Sequence, residues 1–140
     1  MQYTILLRGQ SEQYFCAGVD LLALYRAKQL GNIALAELTI KAQQELISAM
    51  HSLRTPVIVP VTGVAAGLGA ALSSPHSAQI VLATESGVWC VPATQLGHVP
   101  EAGLTHTLAR LGAVGMYLAL TGKRVESSDM MYVTCLVRYF

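Results

Sequence analysis

Two short runs in this sequence place glycine where backbone N–H groups can approach a ligand: Phe15-Cys16-Ala17-Gly18-Val19-Asp20 and Gly63-Val64-Ala65-Ala66-Gly67-Leu68-Gly69. In the second, a strand-like run delivers glycines to the start of a helix. Small residues there let N–H donors reach an oxygen atom, and a helix terminus adds positive potential. Two tight turns of this kind can aim two N–H groups at one carbonyl oxygen. The second run lacks the Gly-Lys-Ser/Thr of a P-loop. Gly69 is followed by Ala70, Ala71 and Leu72, so a GxGxxG dinucleotide fingerprint is not completed either. Close helix packing asks for the same small residues. It is the pair of runs together that carries the functional reading.

Few reactive side chains accompany these turns. His98 and His106 flank Glu101 at a spacing that admits a His/Glu pair, but they match no triad, and surface or packing roles are the commoner fate of such histidines. His51 and His76 show no pattern. Cys16, Cys90 and Cys135 are odd in number and far apart, without a CxxC pair, which argues against a disulfide framework or a structural zinc site. Cys16 and Cys90 lie near the candidate site as thiols of interest, although a buried, inert cysteine is the commoner outcome. There is no GxSxG elbow. Trp89, the single tryptophan, packs in the core or lines a pocket.

The elements that must position these residues follow from periodicity. Tyr3 to Leu7 reads as a buried strand, and a helix follows Asp20. From Ile33 to Leu53, apolar residues recur at Leu35, Leu38, Ala42, Leu46, Met50 and Leu53, which predicts a helix with that stripe inward. Arg54-Thr55-Pro56 ends it. Val57 to Val61, Ala78 to Ala83 and Val88 to Val91 read as strands. Gly103 to Leu111 and Val114 to Leu120 read as helices, the second closed by Gly122. Ser127-Ser128-Asp129 can cap a last short helix, and Leu136 to Tyr139 returns as a strand. Strands alternating with helices point to an α/β layer architecture with largely parallel pairing.

Of 140 residues, 53% are apolar and 12% charged, with a net charge of +1, about half the usual charged share. That is little polar surface for a free-standing monomer and suggests part of a larger core, or a chain covered by partners. Without a basic cluster, nucleic acid and anionic membrane surfaces are not expected partners. No Asp, Glu, Lys or Arg occurs between Arg54 and Glu85. Yet Pro56, Pro60, Gly63, Gly67, Gly69 and Pro75 interrupt the run, so a buried strand, a glycine turn and a short packed helix explain it better than a membrane span. No presequence is visible at MQYTILLRGQ, and reduced, intracellular chemistry is the default.

The stretches ILLRGQSEQYFCAGVDL, TPVIVPVTGVAAGLGAAL, IVLATESGVWCVPATQLGHVPEAGLTHTLARL and YLALTGKRVESSDMMYVTCLV together resemble the enoyl-CoA hydratase/isomerase (crotonase) family in order and spacing. Ala83-Thr84-Glu85 and Leu118 to Arg124 look most like its 3-hydroxyisobutyryl-CoA hydrolase branch. The resemblance implies a crotonase-like spiral α/β fold over residues 1–140, a single partial domain truncated at both ends. It implies an acyl-CoA thioester whose carbonyl is polarised by the backbone N–H groups of Val19 and Leu68. Ala17, Gly18, Asp20 and Gly67 would contact substrate, and no cofactor or metal is implied, coenzyme A being part of the substrate.

Against that pattern, Ala93 stands where the family carries its principal glutamate and Ala71 where hydratases carry a second. Alanine cannot transfer a proton, so the paired carboxylates of hydration are absent. Glu101 occupies the place of the branch's aspartate and is the carboxylate left to position water, unless it is a solvated residue ahead of a helix. Gln43, with Glu45 close by, falls near the branch's upstream substrate-contacting glutamate. The leading reading is therefore an acyl-CoA hydrolase of the 3-hydroxyisobutyryl-CoA type, acting in valine breakdown, mitochondrial by resemblance, with further copies of the chain as its expected protein partners. The alternatives are an enoyl-CoA hydratase or isomerase, a catalytically impaired acyl-CoA binder or assembly subunit, and a fragment with no activity of its own.

Overall fold

Strand β1 (Ile5–Leu6) and strand β2 (Tyr14–Cys16) lead into helices α1 (Leu21–Gln29) and α2 (Ile33–Ser52). Then come β3 (Val57–Val61), β4 (Val64–Ala66), the short helix α3 (Leu68–Leu72), β5 (Ile80–Ala83) and β6 (Val88–Cys90). A 3-10 turn (Pro92–Leu96), α4 (Leu104–Arg110), α5 (Gly112–Thr121), β7 (Val125–Glu126), α6 (Ser127–Val133) and β8 (Val137–Tyr139) complete the order. This computed structural model describes residues 3–133 and 137–139, with side chains through Met130. Cys135 and Leu136 lie outside the described residues.

From β1 to β6 consecutive strands alternate between two sheets, ordered β1-β3-β5-β8 and β2-β4-β6-β7, and β7 then follows β6 in the second sheet. Each circuit of the chain lays one strand on each sheet, parallel to its counterpart from the circuit before. Among the described residues only β7 runs antiparallel, against β6. The result is the spiral α/β architecture expected from the sequence. Val57, Val59, Val61, Ala65, Val81 and Trp89 are fully buried between the layers. Pro60 fits in β3 because the odd-numbered residues bond β5, through Gln79 N–H to Val57 O and Thr84 N–H to Val61 O, while Ile58 bonds β1. The missing N–H of Pro60 therefore points past the end of the short β1, where no ladder bond is lost.

The uncharged stretch folds into the expected β3, α3 and β5, with the additional short strand β4 after the turn at Gly63, and no described helix is long and apolar enough to cross a membrane. Asp20 and Asn32 cap α1 and α2, accepting from Ala23 N at 2.9 Å and Leu35 N at 3.3 Å. Three expectations need correction. β1 is two residues long and exposed, with Ile5 41% and Leu6 61% accessible, because it is an edge strand with no described cover. Helix α2 forms where predicted but is rotated: Gln43, Ile47 and Met50 face inward, while Leu38 and Leu46 stay 62% and 43% exposed. Apolar residues occupy more than one face of α2, so periodicity alone did not choose the buried one. Helix α6 begins at Ser127 itself, with Asp129 inside its first turn rather than capping it.

Two contacts hold the central layers together. Trp89 packs in the core, and its Nε1–H donates to Ala70 O at 3.1 Å, tying β6 to α3. Gly69 in α3 lies against β2, where a Cβ would come 2.0 Å from Cys16 O. A third contact joins the periphery. The His51 and His76 rings stack at 4.3 Å, and His106 on α4 lies 5.2 Å from His76. His51 Nδ1 donates to His76 O at 3.1 Å. Burial, then the neighbouring His51 and His106 imidazoles, hold His76 below the ordinary histidine value.

Gly69→Ala should force α3 off β2 and cost about 1–3 kcal/mol or more, measured by urea unfolding; an unchanged midpoint would contradict the close approach. Because the folded state binds the His76 proton less readily than the unfolded chain, its stability contribution is full above about pH 6.5 and is lost as pH falls below it. The melting temperature should drop between pH 7.5 and 5.5, as order-of-magnitude bounds on that window, and His76→Gln should flatten the drop.

Candidate functional site

The two glycine runs meet as backbones. Gly18, at φ +99°, sits so close to the β4–α3 turn that a Cβ on it would lie 3.3 Å from Ala66 O, 3.7 Å from Leu68 N and 3.9 Å from Gly67 Cα. Any side chain at Gly18 would strain both its own backbone and this contact. Val19 follows that turn, and Leu68 is the first residue of α3, where an N–H has no intrahelical partner. Among the described residues, neither N–H donates to a backbone acceptor.

Both turns open on a cleft of about 520 Å³, counting the space open to solvent at its mouth. Ala17, Gly18, Val19, Gly67, Leu68, Gln43, Ala93 and Glu101 all lie on its wall. The structure thus gathers most of the residues singled out from the sequence. Asp20 is not on that wall: its carboxylate is occupied in capping α1. Ala71 is also off the wall, buried in α3. Gln43, 8% exposed, offers a neutral amide where the resemblance implied a carboxylate. Leu21, Val91, Leu96, Pro100, Ala102 and Leu104 make the remaining surface largely apolar.

One loop supplies the polar groups opposite the turns. Pro92 opens the 3-10 turn, and Gly97, at φ +78°, ends it. Thr94 Oγ1 donates to Ala119 O at 3.0 Å and Gln95 Nε2 to Thr121 O at 2.6 Å, fastening the loop to α5. His98 N–H returns to Ala93 O at 3.0 Å, and Leu104 N–H to Glu101 O at 2.9 Å. Between them Ala102 takes φ +52°, a strained value for a residue with a Cβ. This loop brings His98 Nδ1 within 3.8 Å of Glu101 Oε1, so the His/Glu pair that sequence spacing only allowed is formed. His98 also lines the cleft, whereas His106 belongs to the histidine stack. Sequence reasoning undervalued His98; the Gly97 and Pro100 that bracket it were the available signal.

The thiols are not part of the site. Cys16 and Cys90 are free and neither lines the cleft. Burial pushes the Cys90 thiol up, with Arg124 pulling the other way, which suits an inert core cysteine.

Residues 1–139 match the family model described as enoyl-CoA hydratase/isomerase. Over 130 residues the chain is 32% identical to a mitochondrial 3-hydroxyisobutyryl-CoA hydrolase of Danio rerio, covering 92% of this chain and 33% of the relative. It is also 33% identical, over 128 residues, to small ribosomal subunit protein mS47 of Arabidopsis thaliana, covering 91% of this chain and 31% of that one. The chain thus spans about a third of the length of these relatives. Among solved structures, an enoyl-CoA hydratase from Rhodobacter sphaeroides superposes with a TM-score of 0.88 at 25% identity, over 98% of this chain and 40% of that one. The spiral of paired strands, the meeting of the two glycine turns and these matches agree: the chain belongs to the enoyl-CoA hydratase/isomerase family and has the crotonase fold.

Proposed function

We propose that the cleft binds an acyl-CoA thioester and that the chain is a thioester hydrolase of the 3-hydroxyisobutyryl-CoA type. The observation that carries this reading is the convergence of two unpartnered N–H groups, Val19 and Leu68, on a cleft whose carboxylate is Glu101. In this reading the thioester oxygen accepts from both N–H groups. Donors fixed in advance stabilise the oxyanion of the tetrahedral intermediate without reorganising as charge develops. Ala17, Gly18 and Gly67 border the thioester, Gln43 hydrogen-bonds the acyl group, and the apolar wall excludes bulk water. Water adds to the carbonyl carbon, the C–S bond breaks, and the products are a carboxylic acid and coenzyme A.

Hydration of an enoyl-CoA is disfavoured because it needs carboxylates that Ala93 and Ala71 cannot supply. A second reading, an acyl-CoA-binding assembly subunit without turnover, is supported by Ala93 and by the likeness to a ribosomal subunit protein. From the names of the hydrolase relatives we also infer a mitochondrial setting, and from the hydrolase type a role in valine breakdown. Exposed leucines on α1 and α2 favour self-association.

Leu68→Pro is the selective test of the second donor, since proline is tolerated at a first helical position and removes only the N–H and the leucine side chain. Thioester cleavage should fall about 10²–10³-fold in Leu68→Pro and persist in Leu68→Gly, which keeps the N–H. Equal turnover in both variants would remove Leu68 from the mechanism. Calorimetry with coenzyme A and an acyl-CoA separates hydrolase from binder: heat without turnover supports the assembly subunit, and no heat from folded protein sinks both.

A further inference from the structure

The hydrolase reading leaves water without a base, because Ala93 has none and a solvated carboxylate is weakly basic at neutral pH. The geometry points to His98 as that base, a catalytic residue held by Val99 and Glu101 in place of the carboxylate missing at Ala93. This inference rests on the proposed thioester chemistry and adds to it the group that activates water.

Three observations support it. His98 Nδ1 is 2.9 Å from Val99 O. A carbonyl oxygen can only accept, so Nδ1 carries the proton of the neutral ring and Nε2 presents a lone pair. Nε2 has no hydrogen-bond partner among the described residues. Next, Glu101 Oε1 lies 3.8 Å from Nδ1, where its charge favours the imidazolium that forms when Nε2 takes a proton. The division of labour is that of a base oriented by a third group. Lastly, His98 and Glu101 share the cleft with Val19 and Leu68, so base and oxyanion donors can act on one carbonyl. The side chain is 43% exposed, which gives it access to water.

The step balances without any further reactant. Nε2 removes a proton from water as its oxygen bonds to the carbonyl carbon, and the carbonyl electron pair moves onto the oxygen facing Val19 and Leu68. When the carbonyl re-forms, the C–S bond breaks, and the imidazolium returns its proton to the leaving thiolate. Glu101 takes no part in the proton transfer and is a positioning residue.

The test is steady-state thioester cleavage against pH, with acyl-CoA affinity measured alongside. Wild-type kcat/KM should rise through the histidine range to a plateau. His98→Ala should lose about 10²–10⁴-fold and the histidine limb with it, bind acyl-CoA as before, and regain activity with added imidazole. Glu101→Gln should lower kcat more than it raises KM, lose less rate than His98→Ala and, unlike it, gain nothing from added imidazole. Wild-type turnover and pH profile in His98→Ala, alongside the Leu68→Pro defect, would overturn the role of His98 and leave the hydrolase reading standing. Acyl-CoA binding without any wild-type turnover would overturn both and leave the binder.

Discussion

Backbone-to-backbone contact between two turns is the constraint on which the rest of the structure depends. Gly18 lies over Ala66 and Gly67, and Gly69 lies over the carbonyl of Cys16, so the first and second circuits of the spiral touch with no side chain between them. That approach brings Val19 and Leu68 to the wall of one cleft. It also explains where the apolar content sits: the valines of β3, the alanines of β4 and α3, and Trp89 fill the space between layers that the glycines allow to close. Polar side chains buried there must be satisfied, as Ser73 and Ser74 are by donating to the carbonyls of Gly69 and Ala71.

The loop from Pro92 to Gly103 is built on different terms. It has little apolar burial of its own and is held by hydrogen bonds, to α5 through Thr94 and Gln95 and internally through His98 and Glu101. Such bonds fix direction more than they add stability, roughly 0.5–1.5 kcal/mol each. The loop can therefore change its chemical groups, as at Ala93, while the turns across the cleft stay unchanged. Gly103, with Ala102 strained beside it, passes close to His76 and Ile47, so the loop's far end shares a boundary with the histidine stack.

Much of this was legible in the sequence because the relevant signals are local. Glycine runs, the proline after Thr55 and the run of valines in β3 each report a backbone need at the residue where it arises, and they located the turns, the end of α2 and the central strand. The cleft residues Ala17, Gly18, Val19, Gly67, Leu68 and Gln43 were found the same way or through the resemblance. What was not legible depends on partners distant in sequence. The inward face of α2 is selected by the layers it packs on, since Leu46 and Ile47 are equally apolar and only Ile47 meets the core. β1 looked buried because its residues are apolar, whereas its place at a sheet edge leaves them open. Asp20 looked like a substrate contact by position, but the nearest unsatisfied donor, Ala23 N–H, claims its carboxylate. His98 owes its surroundings to the left-handed Gly97 and the turn around Ala102, which no spacing rule conveys.

The alternation of strands between two sheets bears on how the protein assembles. Ile58 pairs with Ile80 across β4 and the short α3, but Ile5 must find Val57 and Tyr14 must find Val64 across the whole of α1 and α2. Closing the longer loops costs more chain entropy and contributes little until they are closed. Gly18 and Val19 follow β2, on the side of the long-range pairings, and Leu68 follows β4, on the side of the shorter ones. In the proposed reading one donor therefore comes from each, and the site is complete only when both sets of pairings are closed.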